Sequence, residues 1–308
     1  MKSTSAANRV PASTVALFVV PALVLFTGIL LYPILAALGF SLFEFRGGTN
    51  LVGFNWFHNF VVLFTEQPYV EQLPRAFGHN LAILAGALIL QNSLGLFLAV
   101  QLQNLGRMRR VFQVLYTTPY LVSPLVVGYL WTLLLSPTFG PVNAMLKALG
   151  LGNLALPWLG DPTLALPTLI LVTVWQWIGF PVLLYGAALG GLQPDVLEAA
   201  AIDGASGWKR FRHISLPLLT PAIGTVSILT FISSMESFTL PYALGGATGS
   251  PAGGTDVLAL LFYRSSFQSG ASNALGISSA IATLLFLFIL GGAVLATRAL
   301  RRFEEGLR

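Results

Sequence analysis

Six apolar runs follow one another along the chain, at about Val15–Leu42, Leu81–Leu102, Val111–Leu135, Leu164–Leu189, Leu218–Leu244 and Leu275–Leu300. A helix needs about 20 apolar residues to cross the hydrocarbon of a bilayer, and each run is that long. They predict six membrane-spanning helices and an all-α, polytopic architecture in a single domain, residues 1–308. The first run follows Lys2 and Arg9 but has an apolar stretch much longer than a signal-peptide core, with no small-residue cleavage site after it. It is expected to be a retained anchor.

The polar positions between the runs set the orientation. Twelve of the 16 basic residues fall on one set of alternate connections: Lys2, Arg9, Arg107, Arg109, Arg110, Lys209, Arg210, Arg212, Arg298, Arg301, Arg302 and Arg308. The opposite connections hold only Arg46, Arg75, Lys147 and Arg264. Basic residues stay in the cytoplasm, so both termini are expected there. The outer connections then comprise the long, aromatic Phe43–His79, a Ser136–Asp161 segment with a short helix near Val142–Leu149 ended by Gly150, and an irregular glycine-rich loop at Gly245–Gly254. No repeat of one half in the other is visible, as an inverted-repeat carrier would show.

Composition strengthens the membrane assignment. Of 308 residues, 55% are hydrophobic and 9% charged, too little charge to coat a water-facing surface. The net charge of +5 is spread in short clusters at the ends of apolar runs and forms no basic domain for nucleic acid. Without cysteine, thiolate metal sites and disulfides are excluded.

One cytoplasmic stretch differs from an ordinary connection: Gln193–Pro221, QPDVLEAAAIDGASGWKRFRHISLPLLTP. Pro194 and Asp195 suit a helix's first turn, and the alanine-rich Val196–Ile202 favours its continuation. Gly204 permits a sharp turn with positive φ. A second helix over about Ser206–Ile214 carries Trp208, Phe211 and Ile214 on one side, and Pro217 ends it or begins the next span. The residues alone fit two roles: a rigid helix–turn–helix for a partner, or an interfacial loop with its aromatics in the headgroups and its cations on anionic lipid.

Glu198-Ala199-Ala200, Asp203-Gly204-Ala205, Phe211, Ile214, Leu216-Pro217 and Pro221 resemble the EAA loop of permeases from binding-protein-dependent ATP-binding-cassette (ABC) importers. Further segments resemble the carbohydrate-importing branch of that family: Asn80, Thr118-Pro119-Tyr120 with Ser123-Pro124, Trp131, Phe139-Gly140 with Asn143, Trp158-Leu159-Gly160-Asp161-Pro162, and Trp175-x-Trp177-Ile178-Gly179-Phe180. Gly245-Gly246-Ala247-Thr248 departs from the family's outer-loop pattern. The resemblance covers roughly residues 12–303 and is nearest the maltose-permease-F-like subunit. It implies a type I importer transmembrane fold in a prokaryotic cytoplasmic membrane, with residues 193–217 as the coupling region. The implied partners are a second permease chain, two cytoplasmic ATPase subunits, an extracytoplasmic solute-binding protein and membrane lipid. It further implies that Glu198, Ala199, Ala200, Asp203, Gly204 and Ala205 couple to the ATPase. Glu198 would contact it, the alanines would allow close approach and Gly204 would set the turn, while Asp203 would brace that turn.

The chain lacks the means to hydrolyse ATP itself. Its lysines, Lys2, Lys147 and Lys209, stand in no glycine-loop context followed by Ser or Thr. His58, His79 and His213 form no metal-binding pair, and no catalytic or metal site emerges. ATP and Mg are therefore expected on partner subunits, with no cofactor on this chain.

Candidate solute contacts come from the fourth and fifth runs. Ser227, Thr230, Ser233, Ser234 and Ser237 recur near one helical face, a pattern that suits either a wet cavity or close helix packing. The resemblance adds Gly179 and Val182 to Ser233, Ser234 and Ser237 as pathway candidates, with Trp175, Trp177 and Phe180 as faces for a sugar ring. Glu236 is the one acid within an expected span and must face a cavity, a partner or an interface. Two other functions are compatible with these residues: an ion-gradient-driven secondary transporter using Glu236, and a membrane scaffold that recruits a cytoplasmic partner.

Overall fold

A computed structural model describes residues 12–103 and 105–306. Lys2, Arg9 and Arg308, used in the charge count, lie outside the described residues. Three helices are long and apolar enough to span a membrane unaided: α1 (Thr14–Phe40), α3 (Tyr69–Gln103) and the last helix, Ala274–Arg302 within Ala274–Gly306. Three further spans are bent pairs: α4 (Gly106–Leu121) with α5 (Pro124–Leu134), α7 (Pro162–Trp177) with α8 (Gly179–Gly190), and α10 (Gly207–Leu218) with α11 (Thr220–Met235). The shorter helices are α2 (His58–Thr65), α6 (Pro141–Ala148), α9 (Pro194–Ile202), α12 (Thr239–Gly245) and α13 (Leu258–Phe267), and the last helix is α14. Counting each bent pair as one span gives up to six, the number expected, with different boundaries and with breaks inside three of them.

Each break has a proline cause. Between α4 and α5 the axes turn by 95°, because Pro124 drives Ser123 into an extended conformation (ψ 129°), and Val122 is extended too (ψ 141°). The 41° bend from α7 to α8 lies one turn before Pro181, which has no N–H for the Trp177 carbonyl. The 66° bend at Leu219 lies between Pro217 and Pro221. The expected Leu218–Leu244 span is therefore not one helix: α11 stops at Met235, and α12 is a separate helix folded against α5. Nor does the second run begin at Leu81. Helix α3 starts at Tyr69, twelve residues earlier, carrying Arg75, His79 and Asn80 into the bundle.

The helical architecture carries one small β element in its first outer connection. Strands β1 (Phe43–Arg46) and β2 (Asn50–Phe54) form an antiparallel hairpin, turned through Gly47 and Gly48, both at positive φ. Buried Asn59 ties it down by donating to the Ser41 and Phe43 carbonyls (2.8 and 2.9 Å) and accepting from Asn273 (2.8 Å). In the next outer connection the expected short helix appears as α6, followed by Gly150 at φ 76°. Asp161 caps α7 by accepting from the Thr163 N–H (2.7 Å). The Thr163 hydroxyl and N–H together hold its carboxyl below the ordinary aspartate value.

The glycine-rich loop before α13 is irregular, as expected, and is fastened to the bundle. Asp256, fully buried, accepts two 2.8 Å hydrogen bonds from Arg264, and Arg75 stands 3.9 Å away. Arg264 also donates to the Ala247 carbonyl and to Gln72. This end of the molecule gathers the loop, the hairpin and the start of α7, since Gly254 rests against the Pro162 carbonyl. The apolar core lies between α3, α7, α11, α13 and α14, with Leu169, Leu260, Leu261 and Ile281 fully enclosed. No residue in the most apolar stretch of α1 is fully buried, and its last turns, Tyr32–Phe40, pack against α14.

Candidate functional site

Where α11 ends and the α4–α5 and α7–α8 breaks converge, the chain encloses a cavity of about 450 Å³, a size usual for small-molecule sites. Its walls come from five helices in four spans: Ala87 and Gln91 of α3, Tyr120 of α4, Thr173 and Trp177 of α7, Phe180 of α8, and Thr230, Ser233 and Ser234 of α11, with Glu236 and Ser237 just beyond. The breaks make the cavity possible, since continuous helices would bring their side chains together and fill it.

Buried side chains hold the broken ends. At the end of α11, Asn80 donates to the carbonyls of Ser234 (2.8 Å) and Met235 (3.3 Å) and accepts from the Leu258 N–H (2.9 Å). One amide thereby fixes α3, α11 and α13 together. At the α4–α5 break, Gln176 donates to the freed Val122 carbonyl (3.1 Å). Thr230 donates to Asn92 (3.3 Å). Gln91 is buried and faces the cavity. The aromatic side is built by Trp177 edge-on to Tyr120 (5.4 Å), with Phe180 on Tyr120's other flank (6.1 Å).

The sequence-derived candidates divide on this geometry. Ser233, Ser234, Ser237 and Glu236 line the cavity, as do Trp177 and Phe180. Gly179 and Val182 do not. Gly179 is buried where α8 crosses α4, and a Cβ there would stand 2.8 Å from the Tyr116 carbonyl oxygen. Its smallness serves helix packing. Val182 is enclosed in the protein, and Trp175 packs edge-on against Trp131 (5.4 Å) away from the cavity. Glu236 follows the last residue of α11 and so is not within a membrane helix. Gln91 and Thr173 of the lining were missed by sequence reasoning; Gln91-Asn92, the sole polar pair inside the second apolar run, was the available signal.

At the opposite end of the molecule, α9 and α10 form a helix–turn–helix between α8 and α11. Gly204 has φ 77°, and the Ala205 N–H reaches back to the Ala200 carbonyl (2.9 Å), a glycine-dependent helix stop. Glu198, Ala199, Asp203 and Gly204 are exposed, Ala200 is buried and Ala205 is partly so. The Asp203 N–H donates to the Ala199 carbonyl (3.0 Å). The second helix extends past the expected Ile214 to Leu218 and carries Pro217 inside it. The Trp208 and Phe211 rings lie tilted against each other at 5.3 Å, with Trp208 68% exposed.

A model of the family described as "Binding-protein-dependent transport system inner membrane component" matches residues 91–305. The chain belongs to that family. It is a multi-pass membrane permease, the translocating subunit of an ABC importer that works with a solute-binding protein. Membership displaces both the ion-gradient carrier built on Glu236 and the membrane scaffold. The permease is 30% identical over 281 residues to the lactose transport system permease protein LacF of Rhizobium radiobacter, covering 91% of this chain and 90% of that one. It is 35% identical over 213 residues to the xylose/arabinose import permease protein XacH of Haloferax volcanii, covering 69% of this chain and 65% of that one. Against the maltose/maltodextrin permease MalF of Escherichia coli K12 the identity is 32%, and the match spans only 48% of that longer protein. In fold it resembles a chain of a bacterial alginate ABC transporter crystallised with its alginate pentasaccharide-bound periplasmic protein (TM-score 0.79, 24% identity, 94% of both chains covered).

Proposed function

We propose that this permease forms one half of a translocation pathway for a sugar or sugar-like solute, pairing with a second permease chain and driven by two cytoplasmic ATPase subunits. The observation that carries the reading is the cavity. Serine and threonine hydroxyls, an unpaired glutamine and the Trp177–Tyr120–Phe180 aromatic wall offer the mixture of hydrogen-bonding groups and flat apolar faces that a sugar ring requires. Relatives named for lactose, xylose/arabinose and maltose support a sugar cargo.

In this reading the α9–α10 hairpin lies in the cytoplasm with both chain termini, and the solute-binding protein meets the hairpin-strand end. Glu198, Ala199 and the Gly204 turn are exposed for an ATPase surface, Asp203 and Ala205 brace the turn, and Ala200 packs behind it. Because α9 continues from α8 and α10 continues into α11, a force on the hairpin reaches two cavity walls directly. ATP and Mg belong to the partners, and this chain binds no cofactor. Closure of the two ATPases would rock these helices as rigid bodies and expose the cavity to each side in turn.

The test is uptake by the complete importer in proteoliposomes. Gly204→Val forces a β-branched residue into left-handed backbone and is expected to leave ATP hydrolysis running while sugar uptake collapses. Ser234→Leu with Ser237→Leu is expected to reduce uptake and leave ATPase assembly intact. Coupled uptake at the native rate in the first variant would refute the coupling role, and native uptake in the second would remove the cavity from the pathway.

A further inference from the structure

Glu236 is the one charged residue among those that line the cavity, and nothing in the fold uses its charge. Among the described residues its carboxylate has no ion pair and no hydrogen bond, whereas Arg264 is committed to Asp256, Ala247 and Gln72, and Arg75 stands beside the same aspartate. The helix end beside it is held by Asn80, which takes up the Ser234 and Met235 carbonyls. A carboxylate at the carboxyl end of a helix also faces the negative pole of the helix dipole, the wrong end for stability. The acid thus opposes the local electrostatics and contributes no contact to the structure around it.

We propose that Glu236 is a charge filter: it lets the cavity accept neutral or amine-bearing polyhydroxylated solutes and turns away those carrying a carboxylate, sulfate or phosphate. This rests on the reading of the cavity as the solute site. Every other polar residue that this chain contributes to the lining is uncharged, so on this half of the pathway an anionic solute meets no cation to offset Glu236. Glu236 is exposed to the cavity opening, so its field on an entering solute is the water-screened one. A hydroxyl or ammonium group can donate to the carboxylate, while a second anion is repelled and loses its own hydration.

The absence of cysteine from the chain makes a direct measurement possible. Ser237→Cys, with Ser233→Cys as a second reporter, places this chain's one thiol at the cavity wall of the assembled importer in lipid nanodiscs, and labelling is read on this chain after the subunits are separated by electrophoresis. Three methanethiosulfonates then serve as probes, one bearing trimethylammonium, one bearing sulfonate and one bearing a methyl group, with each rate divided by that for free 2-mercaptoethanol. The trimethylammonium reagent is expected to outpace the sulfonate reagent about tenfold, as follows when a water-screened charge about 6 Å away attracts one and repels the other. Glu236→Gln should bring the ratio close to one, and Glu236→Arg should invert it. A ratio that Glu236→Gln leaves unchanged overturns the filter, provided the methyl reagent still labels the thiol. If neither reporter reacts even with the methyl reagent, the cavity is closed to aqueous solutes, and the solute-site reading itself fails.

Discussion

Replacing Asn80 by Leu tests whether one buried amide secures the cavity's outer end. Leu has nearly the same branched shape but neither donates nor accepts. It leaves the Leu258 N–H, previously bonded at 2.9 Å, and the Ser234 carbonyl, previously bonded at 2.8 Å, without partners in a site where the native side chain is fully buried. The 3.3 Å contact to Met235 is weaker and adds little. An orphaned buried polar group costs about 1–3 kcal/mol, while side-chain hydrogen bonds in membrane bundles average about 0.6 kcal/mol. Two such losses therefore span about 1–6 kcal/mol, with about 3 kcal/mol as the central value. With an unfolding entropy of about 2 cal/mol/K per residue, a chain of this length should lose about 5 °C in Tm. Fluorescence-detected size-exclusion chromatography after a heat ramp reads this on detergent-purified protein. Thr297→Val is the control, because that hydroxyl bonds only the Ala293 carbonyl of its own helix and should shift Tm by less than about 1 °C. A Tm for Asn80→Leu within 1 °C of the native value, or equal shifts for both variants, would refute the argument.

Two other substitutions probe the packing that shapes the site. Gly179→Leu must push α8 away from α4, given the 2.8 Å approach to the Tyr116 carbonyl and the Thr117 Cα. It should cost about 1–3 kcal/mol and lower uptake although residue 179 does not line the cavity, and both are measurable in the same melting and vesicle assays. Arg264→Met leaves buried Asp256 with Arg75 at 3.9 Å as its remaining cation and should cost about 2–4 kcal/mol, below the range for a wholly unpaired buried charge. Adding Asp256→Asn should restore at least half of the lost Tm, a result a purely steric effect of the methionine would not give.

The sequence carried the membrane character and the helix–turn–helix around Gly204 because each depends on local, one-dimensional chemistry. An apolar window long enough for hydrocarbon has few alternatives to a spanning helix. Likewise a glycine after an alanine-rich segment stops the helix through its own φ, and Gly204 does so at 77°. Cytoplasmic placement of that hairpin rests on charge counting along the chain and on family resemblance.

The cavity was only half legible. Ser233, Ser234, Ser237 and Glu236 stood out as polar residues in an apolar run, yet hydropathy alone continued the helix through Glu236 to Leu244. Termination at Met235 depends on Asn80, 154 residues away from Ser234 in sequence, and no local pattern announces such a partner. Arg75, His79 and Asn80 looked like loop residues for the same reason: their polarity is satisfied by loops and helix ends that arrive from α11 and α13. Gly179 and Val182 were assigned to the pathway by position, and the 41° bend together with the α4 crossing turned them into the protein.

What the amino-acid order determined by itself is the set of membrane helices and the turns between them, since hydrophobic length and backbone permissiveness act residue by residue. Tertiary structure alone decided where the three spans break productively and which faces meet across the gap. A cavity is a relation among five helices, and its walls exist only once distant amides have taken up the carbonyls and N–H groups that the breaks set free.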